Sequence, residues 1–189
     1  MSENGLQVLA RKKLLLIKGT SLLSCTHCLF GKQSRVAFHR FHSHRKPDIL
    51  DLVHTDVFTM QSNTLSGALY CVTFIDDHSR KVWAYALKSK DQVLDVFKDF
   101  HMKVERQAGK QLKFVRAENG GEYRGPFEQY CRSHGIRLEK TVPKTPQQNG
   151  VAERMNRTFY DRIRCMFSHA KLPKSFWGEA MRTIIDLIN

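Results

Sequence analysis

The chain predicts an α/β layer fold on a mixed sheet, and three observations carry that expectation. Three strand-like runs follow one another between residues 49 and 89. The hydrophobic period then lengthens to that of a helix over residues 90–109. After it, short apolar strands alternate with helices, and two consecutive helices close the chain.

In "ILDLVHTDVF", Leu50, Leu52 and His54 fall on one face and Val53, Thr55 and Val57 on the other, which predicts the first strand. "ALYCVTFIDD" is a nearly continuous apolar run and predicts a second strand, and "KVWAYALKS" alternates and predicts a third. Ser66-Gly67 and Asp77-His78-Ser79 mark turns short enough to join antiparallel neighbours. Val93, Val96, Phe97, Phe100 and Val104 then recur at helical spacing, with Gly109 as a stop. "LKFVRA" predicts a fourth strand. "GPFEQYCRSHG" predicts a helix, with Pro126 early and Gly135 after its end. "IRLEKTV" is a fifth strand and "PKTPQQNG" a loop. The next helix carries an apolar stripe of Val151, Met155, Phe159, Ile163, Met166 or Phe167, and Ala170, and a last helix starts near Ser175.

A chain of 189 residues with 41 % hydrophobic content can bury one good core beside a small appended module. It contains no apolar run of membrane-spanning length and no secretory head, so an intracellular protein is expected. Its five cysteines, Cys25, Cys28, Cys71, Cys131 and Cys165, are odd in number and mostly scattered, which argues against a disulfide framework. The net charge of +13 points toward a polyanion such as nucleic acid. Residues 1–47 carry nine Lys/Arg and one acid, a balance of +8, so the front quarter is the basic end.

Three acids fall at element ends: Asp56 in the first strand, Glu118 after the fourth, and Glu153 early in the long helix. Carboxylates from separate elements can converge above a sheet edge and bind a hard divalent cation through oxygen. Each alone is ordinary, and Glu153 with Arg157 is also a routine i,i+4 helix pair.

"LDLVHTDV", "VTFIDDHSRKVWAYALKSKDQV", "ENGGEY" and "TPQQNGVAERMNRT" together resemble the integrase core of copia-type plant retrotransposons, in the same order and over nearly the whole chain. The resemblance implies a ribonuclease-H-like mixed sheet of about five strands flanked by helices. It also implies an acidic triad at Asp56, Glu118 and Glu153, binding two Mg²⁺ or Mn²⁺ ions that clamp an in-line phosphoryl displacement. Between Glu118 and Glu153 lie 34 residues, within a residue of the family's interval. The family has Asp before Asn-Gly-Gly, so Glu118 keeps the charge and moves the carboxylate out by one methylene. Glu122 belongs to the shared motif, and Asp76 and Asp77 are read as turn residues.

The same resemblance implies three segments: residues 1–32 as a partial zinc module of the HHCC type, 33–47 as a basic linker, and 48–189 as the catalytic core, expected to be truncated within its last helical pattern. "CTHC" offers Cys25 and Cys28, two of the four ligands that a structural zinc requires. The family's two histidines are expected upstream, and the His-rich run His39, His42 and His44 is read as linker. For DNA contact, Lys144, Gln148 and Asn149 of the loop and Arg154 and Arg157 of the helix are the expected residues. The implied activity is DNA 3′-end processing and strand transfer on retrotransposon ends and target DNA, by a homo-oligomer acting in the nucleus. Two rivals stand beside it: a catalytically impaired nucleic-acid-binding relic, suggested by Glu118 and the incomplete zinc set, and a nuclease of the same fold.

Overall fold

The computed structural model describes residues 45–142 and 149–189. Five strands, β1 (Val53–Thr59), β2 (Tyr70–Asp76), β3 (Val82–Leu87), β4 (Phe114–Ala117) and β5 (Arg137–Lys140), form one sheet in the order β3-β2-β1-β4-β5. β1, β2 and β3 pair antiparallel, because their connections are short. β4 and β5 join parallel, each after a helical crossover: α1 (Val93–Ala108) leads into β4 and α2 (Pro126–Ser133) into β5. The punctuation acts as expected. Gly109 closes α1 at φ 62°, a left-handed conformation that costs glycine nothing, and Pro126 opens α2. Then α3 (Gly150–Ala170) and α4 (Trp177–Ile188) follow, the latter after a 3₁₀ turn at Lys174–Phe176.

The pleat of the strands divides the apolar residues between two cores. Val53, Val72, Phe74, Val115 and Ala117 meet Phe97, Phe100 and Val104 of α1 and Phe127 and Cys131 of α2. Cys71, Ile75 and Val82 meet Ala152, Phe159 and Ile163 of α3 and Trp177, Met181 and Ile184 of α4. The result is three layers with the sheet in the middle. Each fully buried side chain of this size contributes roughly 1.5–3 kcal/mol, and the stack of Phe74 on Phe100, 4.3 Å between ring centres, adds shape specificity. As the central strand, β1 is covered on both faces, so Leu52 through Thr55 are all buried.

One stripe differs from expectation. On α3 the buried residues are Ala152, Asn156, Phe159 and Ile163, while Val151, Met155, Met166 and Phe167 are half-buried and Ala170 is exposed. The sheet under the first turns of α3 presents Asp56 and Thr73, and a polar Asn156 satisfies both where an apolar side chain would strand them. Residues 1–32 and most of 33–47 lie outside the described residues. Lys46, assigned to the linker, is already part of the folded unit: its amide donates to Asp77 Oδ2 at 2.7 Å. No helix of the described residues is long and apolar enough to cross a membrane.

Candidate active site

Asp56 is carried by the central strand of the sheet, and β4 runs parallel beside it with Val53 opposite Val115 and His54 opposite Arg116. Continuing that register brings Glu118, just past the end of β4, level with Asp56. From the other side, the first turn of α3 supplies Glu153. The Asp56 carboxylate is fixed at both oxygens. The Val57 amide donates to Oδ1 at 2.9 Å, and the Asn156 amide nitrogen donates to Oδ2 at 2.6 Å. Asn156 is itself oriented, because Thr73, opposite Asp56 on β2, donates its hydroxyl to Asn156 Oδ1 at 3.0 Å. Side chains from β1, β2 and α3 thus form one directed chain, Thr73 to Asn156 to Asp56.

The charges of the three acids meet. Burial, followed by the negative charge of Glu118, lifts the Asp56 carboxyl from an ordinary 3.8 to about 6; Glu153 pushes the same way, and the Val57 amide and Asn156 oppose. Glu153 is also raised, by burial and then by Glu118, against the pull of Arg157 and Arg154. Glu118 is half-exposed, and no described residue hydrogen-bonds its carboxylate. The donor chemistry fits a hard divalent cation: three carboxylates and no sulfur or nitrogen, with the central one buried and pressed by the negative charge of the other two. Among the described residues no set of three His, Cys, Asp or Glu side chains closes into a metal-holding group, so the fit is one of chemistry and placement.

The turn after β4 is built around two contacts. A Cβ on Gly120 would stand 2.6–2.7 Å from the Glu122 carboxylate, so glycine lets that side chain fold back over the turn. Glu122 is thereby turned toward Lys90 Nζ at 3.8 Å, and its side chain is only 10 % exposed. It belongs to the turn. The next residue, Tyr123, is buried and its hydroxyl meets Thr55 Oγ1 at 2.9 Å, tying the Glu118 loop to β1 one residue from Asp56.

Asp76 and Asp77, by contrast, brace the entry to the fold. Asp76 accepts from the Leu50 amide at 2.8 Å and from the Ser79 amide and hydroxyl at 2.7 and 2.6 Å. Asp77 takes the Lys46 amide, His54 Nε2 at 2.9 Å and Arg80 Nη1 at 3.2 Å. Burial pushes the Asp77 carboxyl up, but these partners together hold it below its usual value. Burial pushes His54 down against the opposing pull of Asp77, and Nε2 donates to Asp77 because an ionised carboxylate only accepts.

Of the residues expected to touch DNA, Arg154 and Arg157 stand exposed on α3. Asn149 is fully buried, and its amide donates to the Thr55 carbonyl at 3.3 Å, which fastens the start of α3 to β1. Lys144 and Gln148 lie outside the described residues, as do Cys25 and Cys28 with the expected zinc site. Three residues with a part in the site escaped the sequence reading: Asn156, Thr73 and Tyr123. The signal for Asn156 was a polar residue at i+4 from Ala152 and three before Phe159, a position an apolar stripe would fill.

Comparison with known proteins agrees with this architecture. Residues 48–146 match the family model described as the integrase core domain. The chain is 59 % identical over its whole length to the retrovirus-related Pol polyprotein from transposon TNT 1-94 of Nicotiana tabacum, and spans 14 % of that relative. To the Pol polyprotein from transposon RE2 of Arabidopsis thaliana it is 33 % identical over 89 % of its length, spanning 11 % of that relative. The cryo-electron microscopy structure of the simian T-cell lymphotropic virus intasome, in complex with a PP2A regulatory subunit, contains a chain that matches the fold with a TM-score of 0.58 at 20 % identity. That match covers 97 % of this chain and 68 % of the other, and it identifies the five-stranded sheet as ribonuclease-H-like. A carboxylate-bearing mixed sheet of this topology, matched across 48–146 and similar in sequence to plant Pol polyproteins, places the chain in the integrase core domain family, among copia-type retrotransposon Pol sequences.

Proposed function

We propose that the chain is the catalytic core of a retrotransposon integrase, which processes DNA 3′ ends and joins them to target DNA by phosphoryl transfer, as a homo-oligomer in the nucleus. The observation that carries this reading is the meeting of three carboxylate charges at Asp56, which is held at both oxygens on the central strand of the sheet. When bound, a pair of Mg²⁺ or Mn²⁺ ions supplies charge stabilisation at the attacking and leaving oxygens of the displacement. Asp56, Glu118 and Glu153 would hold them.

The chain's own residues divide the remaining work. Asp56 is the rigid member, since Asn156 and Thr73 fix its plane before anything binds. Glu118 and Glu153 adjust around it. Arg154 and Arg157, exposed beside Glu153, give the phosphates a cationic edge that positions the strand without reading bases. In the first step a water cleaves near the 3′ end; in the second the freed 3′-hydroxyl attacks the target strand. Both are in-line displacements at phosphorus, so no Ser, Tyr or Cys nucleophile is needed.

One observation favours a second reading, in which the protein binds DNA without joining it. Glu118 stands where the family has Asp, and no described residue anchors its carboxylate. A displacement on the order of 1 Å at a reacting centre costs about 10²-fold in rate. The deciding assay compares the chain with Glu118→Asp and Glu153→Gln on a labelled retrotransposon end in Mg²⁺ or Mn²⁺. Joined strands are expected, more of them with Glu118→Asp and none with Glu153→Gln. Equal activity in all three would overturn the triad; cut but unjoined strands would make the protein a nuclease.

A further inference from the structure

On the α3 side, among the described residues, none of β4 or β5 joins the second core. Val115, Ala117 and Leu138 face the first core, so alternation puts Phe114, Arg116, Arg137 and Glu139 on the α3 side. Phe114 is half-buried yet packs into neither core. Its ring is attended by two cations instead, Lys46 Nζ at 5.4 Å from the ring centre and Arg137 Cζ at 5.8 Å.

Some of the described cations are already committed to acids. Arg80, Lys90, Lys98, Lys110, Lys113, Arg116 and Lys140 each sit beside a carboxylate. Among the described residues Lys46 and Arg137 pair with none, and an aromatic face steers them in place of an acid. A cation pre-positioned by a ring keeps its full charge for an incoming anion and loses less side-chain freedom when it binds one. Arg116 lies between this pair and the carboxylates, with Glu139 accepting from its Nε and Nη2 at 3.1 and 2.7 Å.

Placement and charge select the ligand. The cations lie on the face that leads to Glu118, four residues of extended chain from Phe114, about 13 Å at roughly 3.3 Å each, and a DNA strand offers a phosphate to each of them. We propose that this half of the sheet, Lys46, Phe114 and Arg137 with Arg116 behind them, is a seat for the phosphates of the DNA strand that enters the carboxylate site. This rests on the integrase reading and adds to it a second contact surface, on the sheet, apart from the arginines of α3.

The test uses the full chain and a labelled DNA duplex, with affinity measured by fluorescence anisotropy across a salt series. Each phosphate contact removed should flatten the slope of log affinity against log salt by about 0.9. The double variant Lys46→Gln/Arg137→Gln is therefore expected to lose roughly 1.8 from the slope. Lys103→Gln/Arg106→Gln, which removes the same charge from exposed positions of α1, is expected to leave it unchanged. All four side chains lie outside both cores, so melting temperatures should match the parent. Phe114→Leu keeps both charges and is expected to weaken binding severalfold at an unchanged slope. Equal slope changes in the two double variants, or none in either, would overturn the seat. So would tight pyrophosphate binding that the first double variant abolishes, because that describes a small-anion site. The integrase reading fails separately, if the parent chain neither cuts nor joins a retrotransposon end whatever the slopes.

Discussion

Asp56 is held in place at a cost to the protein that carries it. Its folded carboxyl binds a proton more tightly than the unfolded chain does, at about 6 against 3.8. Stability from this group is therefore fully present below pH 3.8 and lost as pH rises through about 6. At roughly 1.36 kcal/mol per tenfold change in proton affinity, the ionised carboxylate costs on the order of 3 kcal/mol above that range. Asp56→Asn removes the charge but gives up one hydrogen bond, worth about 1 kcal/mol, so a net gain of roughly 1–2 kcal/mol is expected at pH 8 with chelator present. At pH 3.5 the gain should vanish, and thermal melting at the two pH values reads both; an equal effect at each would refute the charge argument. Asn156→Ala should act on the same carboxylate differently. It leaves the acid charged but unoriented, and a 10–100-fold loss of strand transfer is expected, the usual cost of removing a group that orients a metal ligand. Parental activity in Asn156→Ala would show that Asp56 needs no such support.

At the scale of elements, the decisive piece is α3, because one helix supplies both Glu153 and Asn156. Its anchor is Phe159, fully buried one turn beyond Asn156 against the side of the sheet that also packs α4. Phe159→Ala should cost about 3–5 kcal/mol in urea unfolding, since the cavity cannot refill from a helix already tied at its start by Asn149. A cost below about 1 kcal/mol would mean that α3 docks by other contacts. The elements themselves were legible in the chain. Strand runs, Pro126, Gly109 and Gly135 stand where the sequence puts them, because each obeys a local rule of period or backbone sterics. The rotation of α3 was not legible, since it depends on which polar groups the sheet presents beneath the helix. The burial of Asn149 was hidden for a similar reason: a polar residue in a Gln-Gln-Asn-Gly loop looks solvent-facing until β1 is known to lie under it.

For the molecule as a whole, the sheet gathers negative charge at one point and leaves cationic surface around it. A divalent cation is expected to relieve the repulsion at Asp56 and so to stabilise the folded chain. At a concentration 100 times its dissociation constant the gain is about 2.7 kcal/mol, or roughly 5–10 °C in melting temperature for a domain of this size. Mn²⁺ titration followed by melting measures it at pH 7.5, and the shift should be absent from Asp56→Asn. An equal shift in both proteins would place the ion elsewhere.

The sequence by itself determined the layer fold, the order of its elements, the family resemblance and the positions of the three acids. Those follow from local periodicity and from motifs spread along one dimension. Only the tertiary structure decided which acids share a field, that Asp76 and Asp77 brace the entry while Asp56 faces the site, and that Thr73 and Asn156 orient it. It also decided that Lys46 and Arg137 gather at Phe114. Burial and charge coupling depend on distances between residues remote in the chain, such as Asp56 and Asn156, 100 positions apart. No pattern within a short window of sequence contains them.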